Sequence, residues 1–111
     1  MKVVLVGPPT LTDADISRWL PVGTDEIIPA GTWGTHDCIL CYVNTHGIKL
    51  TEFYIEFEFF GPLAMTEHFM RAIDYADSVV IFPDSSIPES EKFIDQCKKQ
   101  HKPLTVAEAG R

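Results

Sequence analysis

The sequence is short of positive charge and of long apolar runs. Nine lysines and arginines stand against sixteen aspartates and glutamates in 111 residues, which gives a net charge of −7. This charge has the wrong sign for holding the backbone of DNA or RNA, so that a nucleic-acid partner is disfavoured. The apolar run at 2–6 is too short for a signal sequence or a membrane span. We therefore expect a soluble, cytoplasmic protein without a membrane partner.

Cysteine is scarce as well. Cys38, Cys41 and Cys97 are an odd number in a chain without an export signal, which favours free thiols over disulfides. Cys38 and Cys41 have C-x-x-C spacing next to His36 and Asp37, but no second pair of ligands accompanies them. We expect these two cysteines to pack in the core, and we expect neither a metal site nor a cofactor.

The sequence does contain a regular alternation of short apolar runs with helical patterns. Continuous runs at 2–6 and 78–82 are typical of strands buried on both faces. Shorter strands are predicted at "DEIIP" and "PLTVA", and "KLTEFYIEFEFF" alternates apolar and polar residues as an edge strand does. Four helices are predicted, the first capped by Thr12 and the second ending at Gly47. Their inward faces are predicted to hold Ile16, Trp19 and Leu20; Met65, Phe69, Ala72, Ile73 and Ala76; and Phe93, Ile94 and Cys97.

The order β-α-β-α-β-α-β-α-β predicts an α/β fold in one domain over 1–111. We expect a Rossmann-like three-layer α/β/α structure, with a five-stranded, mostly parallel sheet in the order 3-2-1-4-5. The two continuous runs belong in the middle of this sheet, and the alternating run belongs at its edge. An edge strand over 53–60 could also pair with a second copy, so a homodimer through it is one prediction.

Four segments are predicted at the carboxyl ends of the strands: 7–13, 29–37, 56–68 and 83–91. None of them contains a lysine or an arginine. A pyrophosphate site usually adds a cation to the amides of a helix N-terminus, so ATP and dinucleotides are disfavoured. A nucleoside or a single phosphate is still compatible with the amides and hydroxyls of 31–35, with Trp33 stacking on a base. The alternative is that Gly31 and Gly34 serve only a tight turn.

Histidines and acids in these segments are candidates for catalysis. His36 and His68 are expected to have capping or surface roles rather than catalytic ones. Asp84 and Glu89 could form a nucleophile or acid/base pair for glycosidic cleavage. The alternative is that Glu89 and Glu91 only stabilise the N-terminus of the last helix.

In this arrangement the chain resembles the SLOG superfamily, which includes the LOG cytokinin-activating phosphoribohydrolases and the Smf DNA-processing proteins. The resemblance rests on the Gly-rich loop 30–36, the helix ending in "HGI", the aromatic segment before "GP", "YADSVVIF" and the final "KP". Trp33 and His36 stand where the family has arginine and aspartate, and Ser85 replaces a glycine after Asp84. The resemblance implies a nucleotide-type ligand at the strand ends, held by Gly7, Pro8, Gly31, Thr32, Trp33, Gly34, Thr35, His36, Asp84, Ser85, Ser86 and Ser90.

Three hypotheses for the function follow. The first is a module that binds or senses a nucleoside, a nucleotide or a derivative and has no or only weak catalytic activity. The second is an N-glycosidic hydrolase or transferase that uses Asp84 and Glu89, since "ADSVVIFPDSS" followed by "KP" also resembles the nucleoside deoxyribosyltransferases. The third is an assembly domain without a ligand, which associates through the aromatic edge strand 53–60.

Overall fold

The computed structural model describes residues 1–30, 37–83 and 90–107, with the backbone alone at Ser90. Five parallel strands form one sheet in the order β3-β2-β1-β4-β5, as predicted. The strands are β1 (Lys2–Val6), β2 (Glu26–Pro29), β3 (Lys49–Leu50), β4 (Ser78–Ile81) and β5 (Leu104–Val106). The fold is therefore the predicted Rossmann-like α/β architecture.

Helices cover both faces of the sheet. They are α1 (Asp13–Trp19), α2 (Asp37–His46), the single turn α3 (Phe57–Phe60), a 3₁₀ turn (Gly61–Leu63), α4 (Ala64–Tyr75) and α5 (Ser90–Lys99). One core cluster joins the sheet to α1 and α2, and a second joins it to α4 and α5. In the described part of the chain, no helix combines the length and the apolar character needed to cross a membrane.

The central strand β1 supplies side chains to both cores. Val4 and Val6 pack in the cluster with α4 and α5, whereas Val3 and Leu5 pack in the cluster with α1 and α2. Successive side chains of a strand point to opposite faces, so a strand covered on both faces must be apolar throughout. This explains why the continuous run at 2–6 occupies the middle of the sheet.

The predicted inward faces of the helices are confirmed. On α4, Phe69, Ala72 and Ile73 are buried, and the ring of Phe69 meets that of Phe93 on α5 edge to face at 4.7 Å. Such a contact contributes about 1 kcal/mol beyond the burial of the rings. Thr12 caps α1 as predicted, and Gly47 follows α2 with a φ of 65°, which glycine adopts without strain.

The third strand is much shorter than predicted. Pairing stops after Leu50, residues 51–56 are not in a strand, and Phe57–Phe60 form the helical turn α3. Thr51 still donates its amide to the carbonyl of Ile27 on β2 at 3.0 Å. The next residue of β2 on that edge is Pro29, which has no N–H for the carbonyl of Thr51. The prediction of an edge strand over 53–60 was therefore wrong.

A polar cluster lies at the end of the sheet where the strands begin. Glu26 opens β2 and is buried, and its Oε2 accepts hydrogen bonds from the hydroxyls of Thr51, at 2.6 Å, and Tyr75. These two bonds, Thr51 first, lower the pKa of Glu26, while the bond to Glu26 raises the pKa of Tyr75. The carboxylate therefore ties β2 to α4 and to the start of the segment after β3.

Candidate functional site

The strand order creates a topological switch point between β1 and β4. From this pair the chain winds outward to β2 and β3 on one side and to β5 on the other. In open α/β sheets, ligands bind outside the carboxyl ends of the strands at such a point. The amide of Phe82 donates to the carbonyl of Val6 at 2.8 Å, so the two strands stay paired to their ends. Buried Val6 and Phe82 thus form a closed floor for the candidate site.

Gly7 follows β1 directly and is packed too closely for a larger residue. A Cβ at this position would lie 2.5 Å from Cδ1 of Leu11 and 3.4 Å from Cβ of Phe82. Leu11 is itself buried and donates its amide to the carbonyl of Pro8 at 3.3 Å. Gly7 and Pro8 therefore lie at the edge where the sequence predicts them, but both are buried. They shape the floor of the site rather than present side chains to it.

The N-terminus of α1 is already occupied by the protein's own side chains. Oγ1 of Thr12 accepts from the amide of Asp15 at 3.1 Å, and the carboxylate of Asp15 accepts from the amide of Thr12 at 3.0 Å. Asp13, also in this first turn, pairs with His46 of α2 at 2.9 Å. A dinucleotide site on this fold would place its pyrophosphate at this helix start. The capping box uses the amides of Thr12 and Asp15, and the carboxylates of Asp13 and Asp15 disfavour a pyrophosphate there.

A cleft of about 270 Å³ lies between α1 and α2, on the side of the carboxyl ends of the strands. Its lining residues are Leu11, Asp13, Asp37, Cys38, Cys41 and Tyr42. The thiol of Cys38 donates to the carbonyl of Pro9 at 2.8 Å and so connects the start of α2 to the loop after β1. The walls are mostly apolar, and their charged groups are carboxylates, which suits a ligand without a phosphate.

The prediction that both cysteines of the C-x-x-C pair lie in the core was wrong. Cys38 is partly buried, but Cys41 is exposed, and Cys97 on α5 is the buried thiol. The inward face of α2 consists of Ile39, Tyr42 and Val43. Cys41 lies one position before Tyr42 and is not part of this inward face.

A second, smaller cleft of about 160 Å³ lies between α4 and α5. It is lined by Thr66, Phe69, Lys92, Asp95, Gln96 and Lys99. Lys92 lies in the first turn of α5, at the same end of the sheet as the candidate site. The predicted loop 83–91 ends one residue before Lys92, so the absence of cations in the predicted loops does not extend to the start of α5.

His68 is buried, contrary to the predicted surface or capping role. It lies in the second turn of α4 and is 2% exposed, and its Nδ1 has no hydrogen-bond partner among the described residues. Burial, and then the positive charge of Arg71, lower the pKa of this imidazole, which is neutral as a result. The helical spacing could have predicted this burial, because His68 lies four residues before Ala72, which faces inward.

Most of the predicted ligand-binding and catalytic residues lie outside the described residues. This applies to Gly31, Thr32, Trp33, Gly34, Thr35, His36, Asp84, Ser85, Ser86 and Glu89, while Ser90 is described only as the backbone start of α5. In the sequence, 31–36 stands between β2 and α2, and 84–89 stands between β4 and α5.

The described part of the chain contains no group of three or more histidine, cysteine or carboxylate side chains that could hold a metal ion. The comparisons with known proteins add no relative, since no protein family model, no curated protein and no solved structure matches this chain.

Proposed function

We propose that this protein binds a small, weakly charged ligand of the nucleoside type over the carboxyl ends of β1 and β4. The strand order carries this proposal, because it creates a switch point between two central strands. The residues predicted for ligand binding at 31–36 and 84–89 follow β2 and β4 in the sequence, and they include glycines, hydroxyls and carboxylates. The resemblance of these loops to SLOG domains supports a nucleoside or mononucleotide as the ligand.

The charges of the described residues support a ligand with little negative charge. The first turns of α1 and α2 carry Asp13, Asp15 and Asp37, and the capping box already uses the amides at the start of α1. Two phosphates at this place would face these carboxylates, and Lys92, at the same end of the sheet, lines the other cleft, between α4 and α5. A neutral base and sugar would instead be recognised by stacking on Trp33 and by hydrogen bonds from the glycine-rich loop.

A thermal-shift screen of nucleosides, mononucleotides, dinucleotides and ADP-ribose, followed by calorimetry on each hit, tests the proposal. A ligand present at a hundred times its Kd stabilises the folded protein by about 2.7 kcal/mol. For a chain of this size that is a rise in Tm of about 10 °C. We expect nucleosides or mononucleotides to give this rise and dinucleotides to give none.

Two variants with one matched control locate the binding site. Trp33→Ala and Asp84→Asn should abolish the shift, whereas Val22→Ala shortens an exposed side chain between α1 and β2, at the amino end of the sheet, and should leave it unchanged. A folded protein that responds to no compound of the panel would refute the proposal. Release of free base from nucleosides, lost in Asp84→Asn and in Glu89→Gln, would replace binding by N-glycosidic cleavage.

A further inference from the structure

Residues 54–63, here called the aromatic segment, expose an unusual number of large apolar side chains. Tyr54, Phe57 and Phe59 are 77%, 61% and 86% exposed, Phe60 and Leu63 are exposed as well, and the rings of Phe59 and Phe60 lie 6.3 Å apart. Large exposed apolar areas usually mark interaction sites. The segment contains α3 and the 3₁₀ turn, and therefore presents side chains rather than a free strand edge.

Arg71 on α4 holds the base of this segment against the fold. Its guanidinium donates to the carbonyl of Tyr54 at 2.9 Å, pairs with Glu67 at 2.8 Å and approaches Glu56 to 3.8 Å. It also lies over the ring of Phe53 at 5.5 Å, and that ring meets Tyr75 edge to face. Because the start of the segment is anchored in this way, a partner loses less entropy in ordering it on binding.

Two carboxylates in and next to the aromatic segment lack a cation in the described part of the chain, whereas Arg71 is already paired with Glu67. Glu52 and Glu58 are exposed, and neither has an ion-pair partner among the described residues. In a two-fold dimer the same patch would meet itself, so that these carboxylates would approach their copies in a protein that already carries a net charge of −7. Like charges facing each other oppose such a contact. A positively charged partner would complement the carboxylates of this surface.

We propose that the aromatic segment docks a basic protein segment that carries both Lys or Arg and apolar side chains. The cations pair with Glu52 and Glu58 and lie over the exposed faces of Tyr54, Phe57 and Phe59. The apolar side chains pack between the rings and Leu63. Aromatic side chains at the centre of an interface contribute most of its binding free energy, while the surrounding charges set specificity and association rate.

Selection from a phage library of random dodecapeptides identifies the chemistry of the partner. Peptides are selected on the wild-type protein and depleted on the double variant Phe57→Ser/Phe59→Ser. We expect the enriched peptides to be rich in Lys or Arg interspersed with apolar residues. A labelled peptide from this pool should bind at least about tenfold more weakly to the double variant and to Glu58→Lys. Its binding should also weaken when the salt concentration rises from about 50 to about 300 mM.

Controls separate these effects from loss of the fold. Val22→Ser removes an apolar side chain that is 98% exposed elsewhere, and Asp74→Lys makes the same charge change as Glu58→Lys on the last turn of α4. Both should bind the peptide as the wild type does, and all variants should keep their Tm, since exposed substitutions change stability by about 0.5 kcal/mol or less.

Four outcomes would overturn the proposal. The first is a selection that enriches no peptides or enriches neutral or acidic ones. The second is an equal loss of peptide binding in the control variants. The third is a dimer in sedimentation equilibrium that Phe59→Ser abolishes, which assigns the surface to a second copy. The fourth is flotation of the wild type, but not of the double variant, with phosphatidylcholine vesicles, which assigns it to a membrane.

Discussion

Replacing Gly7 by alanine tests the tight packing at the floor of the candidate site. The new methyl group would lie 2.5 Å from Cδ1 of Leu11, far inside van der Waals contact, and Leu11 is buried. Overpacking of this kind costs about 2 kcal/mol. For a chain of 111 residues this is a loss of about 8 °C in Tm, at about 4 °C for each kcal/mol.

A double-mutant cycle with Leu11→Ala isolates the clash from other effects of the substitution. Leu11→Ala removes the atoms that the new methyl group would meet, although it costs about 3 kcal/mol through the cavity it creates. In that background Gly7→Ala should cost less than about 0.5 kcal/mol, so that the two sites are coupled by about 1.5 kcal/mol. Urea unfolding followed by circular dichroism measures all four proteins. An equal cost of Gly7→Ala in both backgrounds would refute the close approach.

Three further predictions concern single groups. The pKa of Glu26 is held below its ordinary 4.5, so its contribution is present above pH 4.5 and is lost as the pH falls through the folded value. The free energy of unfolding in urea should therefore differ less between wild type and Glu26→Gln in acid than at neutral pH. A difference that is the same at both pH values would contradict a stabilising role of the hydrogen bonds to the Glu26 carboxylate. The pKa of His68 is lowered from its ordinary 6.5, so the wild type should lose more stability than His68→Leu as the pH falls below 6.5. An NMR titration that places this pKa at or above 6.5 would refute the prediction. Burial raises the pKa of Cys97 to about 12, so iodoacetamide should label exposed Cys41 first and Cys97 only after unfolding, as mass spectrometry of the peptides can show.

The central strands could be predicted from the sequence because strands that are buried on both faces consist of continuous apolar runs. The runs at 2–6 and 78–82 identified β1 and β4, and alternation with helices left one strand order to expect. The error at the third strand has a local cause. Alternation at 49–60 has the period of a strand, but Pro29 on the neighbouring strand ends the ladder, and period alone does not report a missing partner.

The site was less predictable because burial at its edge depends on contacts between distant elements. His68 was assigned to the surface as a polar residue in a loop segment, yet it lies on the inward side of α4. Cys41 was assigned to the core as an apolar residue type, yet it lies on the outer side of α2. In both cases the prediction relied on the residue type, whereas burial in the structure follows the position of the residue on the helix. The chemistry of loops 31–36 and 84–89 is still a prediction from the sequence.

An NMR titration tests the location of the ligand most directly. Amide resonances of the ¹⁵N-labelled protein are followed while adenosine and then AMP are added to saturation. We expect the largest shifts at Gly7, Ala30 and Phe82 and in the loops 31–36 and 84–89, with Gly47 unchanged at the opposite end of the sheet. A spectrum that does not change, or shifts confined to Thr66 and Lys92 in the cleft between α4 and α5, would contradict a ligand site at the switch point.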